Sequence, residues 1–498
     1  MKVERQRKLF QRKEKKRLHF RALMAILIVS LVSMSFAFAW YRFVLENNQT
    51  GHLLGLGNLF MSIGIYTLLT SLIFQRLGAF QIGVNRGSEV FASQILALLL
   101  VNCIEIPLSM AVTGQIRFWD NFFFLYLLLS ILQLLLLLVF TRFATRFYAA
   151  HFPPMQVLEI YGTYDNSLAE KINDRPYIYR VSGKIAADSD WRELTQVMAD
   201  YDAILINDVS SERKNDLIKY CYAVDQRVYF TPKLSDILTK SSLVLKLFDT
   251  PIFYKRNGER FFLARLLKRS FDLLLSLMAV LLLSPLFLVV SIAIKLDDGG
   301  PIFYRQARVT KNGRIFDILK FRSMIVDAEK DGKSHPAESD DERITKVGRW
   351  IRPSRIDELP QLINIIKGDM SIVGPRPERV EHVQKYTDLI PEFSFRSKVR
   401  GGLTGYAQVY GKYNTSPLDK LKLDLIYIQK WSPLLDFQLI IETIKVLFKK
   451  ESTEGFSPAS VQAIRDYSLS NTPPSTRGGN GDAAEKDRSD GSGNAAVK

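Results

Sequence analysis

Two cysteines and five histidines in 498 residues leave little room for soft-metal or disulfide chemistry. Cys103 lies in an apolar run and Cys221 in a mixed stretch, so neither a disulfide framework nor a thiolate zinc site can be assembled from them. Any metal is therefore expected to be a hard ion held by carboxylate and phosphate oxygens, Mg2+ or Mn2+. Acidic residues are also short: 51 Asp and Glu stand against 67 Lys and Arg, a net charge of +16. That excess asks for an anionic partner, which is nucleic acid, an anionic membrane surface or a phosphorylated substrate. A glycine-rich dinucleotide loop is missing as well. The strand-like run at 156–161 is followed by Gly162-Thr163-Tyr164-Asp165, which lacks that fingerprint.

Apolar residues make up an ordinary 47% of the chain, but they are unevenly spread. Residues 1–20 are strongly basic, with Lys2, Arg5, Lys13 and Arg17 among them. Directly ahead of an apolar run, such a segment anchors to anionic lipid and keeps the N-terminus on the cytoplasmic side. The run at 22–41 is too long for a signal-peptide core, and further runs follow it. Apolar segments near 21–41, 53–74, 91–112 and 121–141 each meet the length of about 20 residues that a bilayer requires. They define a four-helix membrane region over 21–148, and membrane lipid displaces nucleic acid as the partner of the basic charge. Glu105 and Pro107 inside the third segment mark either function or a position near the helix end.

Residues 153–256 alternate between strand-like runs (156–161, 203–206 and 228–231) and helical patterns (165–173, 191–199 and 211–224). That rhythm predicts a small α/β domain with a parallel sheet, Rossmann-like in outline. Without a dinucleotide loop, it reads as a domain for regulation, assembly or spacing. A fifth apolar stretch, 271–295, is interrupted at Ser284-Pro285. Proline removes a helical hydrogen bond and kinks a helix, so this stretch either crosses the membrane with a kink or turns back on itself. Crossing after four earlier spans would carry 296–466 to the far side; a re-entrant hairpin keeps it on the cytoplasmic face. Residues 468–498 carry almost no large apolar side chain and are expected to be disordered.

The chemistry is concentrated in 299–450. Lys320-Phe321-Arg322 sets two cations around an aromatic, and Arg352, Arg355, Asp357, Glu358, Leu359, Pro360 and Gln361 follow. Apolar positions 359, 362, 363 and 366 have helical spacing, and Pro360 is tolerated only in a first turn. Asp357 and Glu358 therefore sit at or just before a helix N-terminus. There they serve either as an N-cap and a first-turn acid, or as metal-binding and nucleophilic carboxylates beside cationic phosphate clamps. Arg376, held between Pro375 and Pro377, suits a rigid grip on phosphate or a structural turn. Gly402 and Gly405 fit a tight turn or a close approach to a ligand.

The order of these motifs resembles the bacterial sugar transferases that act as polyprenyl-phosphate phosphoglycosyl transferases. The motifs are a Phe271-Asp272 helix start, Ser284-Pro285, Lys320-Phe321-Arg322-Ser323-Met324, Asp357-Glu358-Leu359-Pro360-Gln361, Gly374-Pro375-Arg376-Pro377 and Gly402-Leu403-Thr404-Gly405. The likeness is strong over about 265–450, and the preceding membrane and α/β regions fit the large membrane form of that family. It implies a monotopic catalytic domain over 264–466 with a re-entrant helix at 271–295, in a multi-pass protein of the bacterial inner membrane whose catalytic face is cytoplasmic. It further implies that Asp357 attacks the sugar-bearing phosphate of a UDP-sugar and expels UMP. Undecaprenyl phosphate then takes the sugar phosphate, which initiates capsule or exopolysaccharide synthesis. In that scheme Glu358, with Asp357, binds Mg2+, and Lys320, Arg322, Arg352 and Arg376 contact phosphate. A homodimer is also compatible with the likeness. Two positions depart from the pattern: Arg355, where a small or apolar residue is expected, and Lys412, where Arg is common. The competing readings are a glycosyltransferase that releases UDP and a lipid-binding scaffold without catalysis.

Overall fold

The computed structural model describes residues 2–42, 55–114, 119–162, 168–173, 178–245, 249–255, 262–326, 328, 341–411 and 415–447. Lys412, Asp165 and the 468–498 tail lie outside them. Four long helices open the chain: α1 (Lys2–Trp40), α2 (Leu56–Arg76), α3 (Gly87–Thr113) and α4 (Trp119–His151). Each of the four N-terminal apolar segments falls largely within one of them, and all four helices are long and apolar enough to cross a membrane. Their mutual interface is partly polar. Tyr66 donates to Asn102 Oδ1 (2.7 Å), Asn102 donates to Ser130 Oγ (2.7 Å), and Gln133 donates to the Val32 carbonyl (3.1 Å). Glu105 is buried among these helices, eight residues short of the α3 end, rather than facing the membrane–water interface. The basic segment is not a separate arm. It forms the first turns of α1, and its Lys13 and Glu14 pair with Asp202 (3.6 Å) and Arg227 of the following domain.

That domain has a four-stranded parallel sheet in the order β2-β1-β3-β4: β1 (Met155–Tyr161), β2 (Tyr179–Ala186), β3 (Ala203–Asn207) and β4 (Arg227–Phe230). Helices α5 (Leu168–Asn173), α6 (Trp191–Met198) and α7 (Ser211–Ala223) connect the strands. The all-buried run Ala203–Asn207 explains why β3 is readable from hydropathy. Strand β2 escapes such reading because it lies at the sheet edge and half-exposed residues alternate with exposed Arg180, Ser182 and Lys184. The chain continues through α8 (Leu234–Thr239) and the short antiparallel pair β5 (Leu243–Leu245) and β6 (Ile252–Tyr254). Ile237 of α8 packs into a cluster with Phe393, Leu421 and Leu425 of the C-terminal region.

The 37-residue helix α9 (Phe262–Asp298) follows, also long and apolar enough to cross a membrane. It remains helical through Pro285, so the interruption expected at Ser284-Pro285 is not a gap in the helix. Pro285 has no N–H for the Leu281 carbonyl, and the Ser284 hydroxyl donates to that carbonyl at 2.8 Å instead.

Both ends of α9 are fastened to the same set of strands and helices. That set comprises the antiparallel hairpin β7 (Phe303–Val309) and β8 (Ile315–Phe321), α10 (Lys346–Ile351), α11 (Gln361–Lys367), β9 (Met370–Val373), α12 (Val380–Leu389), β10 (Gly401–Thr404), α13 (Tyr406–Tyr410), α14 (Pro417–Lys430) and α15 (Pro433–Leu447). Strands β9 and β10 pair in parallel. Near the start of α9, Lys268 pairs with Asp436 (2.7 Å), and Asp272 accepts from Ser371 Oγ (2.8 Å) and the Ile372 amide (3.2 Å). Near its end, Asp297 accepts from the Val347 amide (3.1 Å) and Asp298 pairs with Arg322. Leu275, Ala279 and Leu283 of α9 pack on Phe316, Ile365, Ile372 and Leu439, whereas Val290 and Ile294 pack on Phe321 and Ile351. Full burial of side chains such as Val290, Ile294, Ile365 and Leu439 contributes about 1.5–3 kcal/mol each.

Candidate active site

The two carboxylates at the centre are adjacent in sequence but differently engaged. Ile356–Glu358 forms a single 3-10 turn just ahead of α11, whose cap residue is Pro360. Asp357 is thus not the N-cap, and neither acid makes a capping bond. Glu358 is buried and held from three directions. Lys320 Nζ, on β8, reaches Glu358 Oε1 at 3.1 Å; Arg376 Nη2, from the loop after β9, reaches the same oxygen at 2.6 Å. Arg355 Nη1 lies 3.7 Å from Oε2. Burial pushes Glu358 up, but the Arg376 and Lys320 charges outweigh it and hold the carboxyl well below its usual range. Glu358 in turn raises the Arg376 guanidinium above its ordinary value.

Asp357 makes no side-chain hydrogen bond and no ion pair within 4 Å among the described residues. Burial is the main influence and raises it to about 6; Lys320, Arg352 and Arg376 pull down, and Glu358 pushes up. At neutral pH it is mainly ionised, yet more basic than an exposed aspartate. Four cations (Lys320, Arg352, Arg355 and Arg376) act on two carboxylates, a local excess of positive charge suited to a diphosphate.

The sequence-selected cations divide. Lys320 and Arg376 meet at Glu358, and Arg352 lies close enough to influence Asp357 while donating to Ser323 Oγ at 3.4 Å. Arg322 is buried and pairs with Asp298 at the end of α9. Ser284 and Pro285 are exposed on α9. Arg355 occupies left-handed backbone (φ 53°, ψ 22°), a strained setting for a residue with a side chain, and its guanidinium supplies the added ion pair. The glycines are spent on chain packing. A Cβ on Gly402 would come within 2.1 Å of the Gly374 amide nitrogen, and one on Gly405 within 2.1 Å of the Gly374 carbonyl.

Sequence reasoning missed the support behind Arg376. Arg396 Nη2 donates to the Arg376 carbonyl (2.9 Å) and to Asp424 Oδ2 (2.8 Å), and its Nε donates to the same Asp424 oxygen (3.0 Å). Glu378 lies 3.7 Å from Arg396 Nη1. The readable signal was Asp424 itself, an acid on the apolar face of α14 beside Leu421 and Leu425. A buried acid of that kind needs a cationic partner.

No group of three or more His, Cys, Asp or Glu forms a metal cage among the described residues. Two adjacent carboxylates suit Mg2+, which is commonly held by one or two carboxylates plus substrate phosphates. Among the described residues Asp357 has no competing partner and Glu358 Oε2 is approached only by Arg355 at 3.7 Å, so lone pairs remain on both acids.

Residues 263–450 match the model of the bacterial sugar transferase family. The chain is 40% identical over 206 residues to the UDP-glucose:undecaprenyl-phosphate glucose-1-phosphate transferase of Escherichia coli (strain K12), covering 40% of this chain and 42% of that one. It is 42% identical over 184 residues to the UDP-N-acetylgalactosamine-undecaprenyl-phosphate N-acetylgalactosaminephosphotransferase of Aeromonas hydrophila, with 36% and 43% coverage. It is also 43% identical over 191 residues to the exopolysaccharide production protein ExoY of Sinorhizobium fredii, covering 36% of this chain and 83% of that one. The chain belongs to the bacterial sugar transferase family. The matched part spans less than half the length of the first two relatives.

Proposed function

We propose that this protein transfers a sugar 1-phosphate from a UDP-sugar to undecaprenyl phosphate, with Asp357 as nucleophile. The observation that carries this is the unequal pair: Glu358 is pinned by cations, and Asp357 beside it is ionised and unpartnered. An Asp357 carboxylate oxygen attacks the sugar-bearing phosphorus, and the bond to UMP breaks. An acyl phosphate is left on Asp357. An oxygen of undecaprenyl phosphate then attacks the same phosphorus, the acyl-phosphate bond breaks, and the Asp357 carboxylate is restored. Lys320, Arg352 and Arg376 stabilise the phosphoryl charge, with Arg396 positioning Arg376. Arg322 is assigned to fastening α9 rather than to phosphate. Mg2+, held by Glu358 and Asp357, would neutralise developing charge on the phosphoryl oxygens. The relatives' names support this donor and acceptor class, and the name of the Sinorhizobium fredii relative supports a role in exopolysaccharide production.

In the same reading, α1–α4 cross the bacterial inner membrane and α9 enters and leaves on its cytoplasmic face. A straight 37-residue helix measures about 55 Å, well beyond the roughly 30 Å hydrocarbon core. Yet Asp272 and Asp298, near opposite ends, are bound by Ser371 on β9 and by Arg322 just after β8, strands that pack together among the described residues. A spanning helix would part them across the bilayer. A turn at Ser284-Pro285, with helicity kept, satisfies both contacts.

The nucleotide product tests the reaction class. Purified full-length protein is given undecaprenyl phosphate, Mg2+ and a panel of UDP-sugars, with UMP and UDP measured separately. UMP release that Asp357→Asn abolishes is the expected result. UDP release would assign a glycosyltransferase instead, and no nucleotide release from any sugar would favour a scaffold.

A further inference from the structure

Beside the catalytic turn, an apolar groove of about 600 Å³ runs between the second half of α9 and α10. Its floor is Val290 and Ile351, both buried, and Val289, Ala293 and Trp350 line its sides. It reaches Ile356, the residue immediately before Asp357. The volume falls within the roughly 300–1,000 Å³ typical of small-molecule sites. Apart from Lys346 and Ser354 its lining is apolar.

We propose that this groove holds the head-proximal isoprene units of the lipid acceptor, so that their phosphate arrives at Asp357 while the rest of the chain stays in the bilayer. The inference rests on the function proposed above. One wall belongs to the helix that reading embeds in the membrane, so the groove opens where a polyprenyl chain would already lie. The other wall carries Trp350, 84% exposed, and a tryptophan so exposed suits the membrane–water interface. The Val347 amide bonds Asp297 at 3.1 Å, which ties α10 to the polar end of α9 and holds the walls together. Lys346 at the rim complements an anionic headgroup. A water-soluble donor has no use for an apolar channel, whereas the acceptor must bring a polar head out of lipid to a buried acid.

The test uses the full chain in phospholipid nanodiscs doped with undecaprenyl phosphate. Trp350 is replaced by the photo-crosslinking residue p-benzoylphenylalanine, with the same replacement at Leu281, 74% exposed elsewhere on α9, as the comparison. The expected result is an undecaprenyl phosphate adduct at position 350, enriched over its mole fraction, with no enrichment at 281. Adducts that follow bulk lipid composition at both positions, or crosslinks chiefly to a second copy of the chain, would overturn the proposal. In a second arm, Ala293→Phe fills the groove and raises KM for undecaprenyl phosphate about tenfold, the effect of denying a few methylenes their burial, while KM for the UDP-sugar holds. An unchanged acceptor KM would also overturn it. A wild type that releases no UMP defeats the enzymatic reading instead, and the crosslink at 350 reports on the groove independently of turnover.

Discussion

Arg376 grips Glu358 at 2.6 Å, and the neighbouring Asp357 is left without a partner among the described residues. One acid is thereby held by cations, and the other keeps its oxygens for the attack on phosphorus proposed above. Arg376→Lys keeps the charge and loses the planar fork. Charge-assisted hydrogen bonds contribute about 1.5–3 kcal/mol, so kcat/KM should drop roughly 10- to 100-fold. Steady-state UMP release measures it, and a loss below threefold would argue that Arg376 serves only as a point charge.

The Asp357 carboxyl, pushed up to about 6 by burial, sets an acid limb. Attack requires the ionised form, so kcat/KM falls as pH drops through about 6 for the metal-free site, with bound Mg2+ moving the limb lower, and is level above it. Lys320 lowers that pKa; Lys320→Gln therefore shifts the limb to higher pH as well as reducing the rate. A pH–rate series on both proteins checks the direction, and a shift to lower pH would contradict the electrostatic assignment.

Arg355 is held in left-handed backbone at φ 53°. Arg355→Asn tolerates that conformation, whereas Arg355→Val adds a β-branched side chain there and should cost roughly 1–2 kcal/mol. Thermal unfolding in detergent should place the Asn variant within a degree or two of wild type and the Val variant clearly below it.

The proposed topology places the turn of α9 at Ser284 and Pro285. On that proposal, Ser284→Ala and Pro285→Ala together remove the cause of the turn and convert α9 to an ordinary spanning helix. A cysteine introduced by Lys311→Cys, on an exposed turn, reports the outcome through a membrane-impermeant maleimide applied to intact spheroplasts, with the parent chain as blank. Labelling should rise in the double variant and stay at background in the Lys311→Cys protein alone.

How far the molecule could be read from its sequence depended on distance along the chain. Asp357 and Glu358 are neighbours, and the Pro360 constraint located their turn without tertiary information. Lys320 and Arg376 were legible as motif cations, although only the fold shows them converging on one Glu358 oxygen. Arg322 looked equivalent to Lys320 two residues earlier, and its pairing with Asp298 depends on how the end of α9 meets β8. Runs such as Ala203–Asn207 announced their strands, whereas β2, with exposed polar residues at alternate positions, did not. The positive φ of Arg355 and the Arg396 grip on the Arg376 carbonyl come from local strain and long-range packing, to which hydropathy patterns are blind.

The most direct measurement is of Asp357 itself. Purified protein is mixed with UDP-sugar and Mg2+ in the absence of any lipid acceptor, quenched rapidly, digested and analysed by mass spectrometry. The account predicts that the peptide containing Asp357 gains the mass of one sugar phosphate, with UMP released in equal amount. Adding undecaprenyl phosphate before the quench should discharge the adduct. UMP formation that requires the acceptor and leaves no adduct on Asp357 would contradict the covalent route and point to direct transfer between the two substrates.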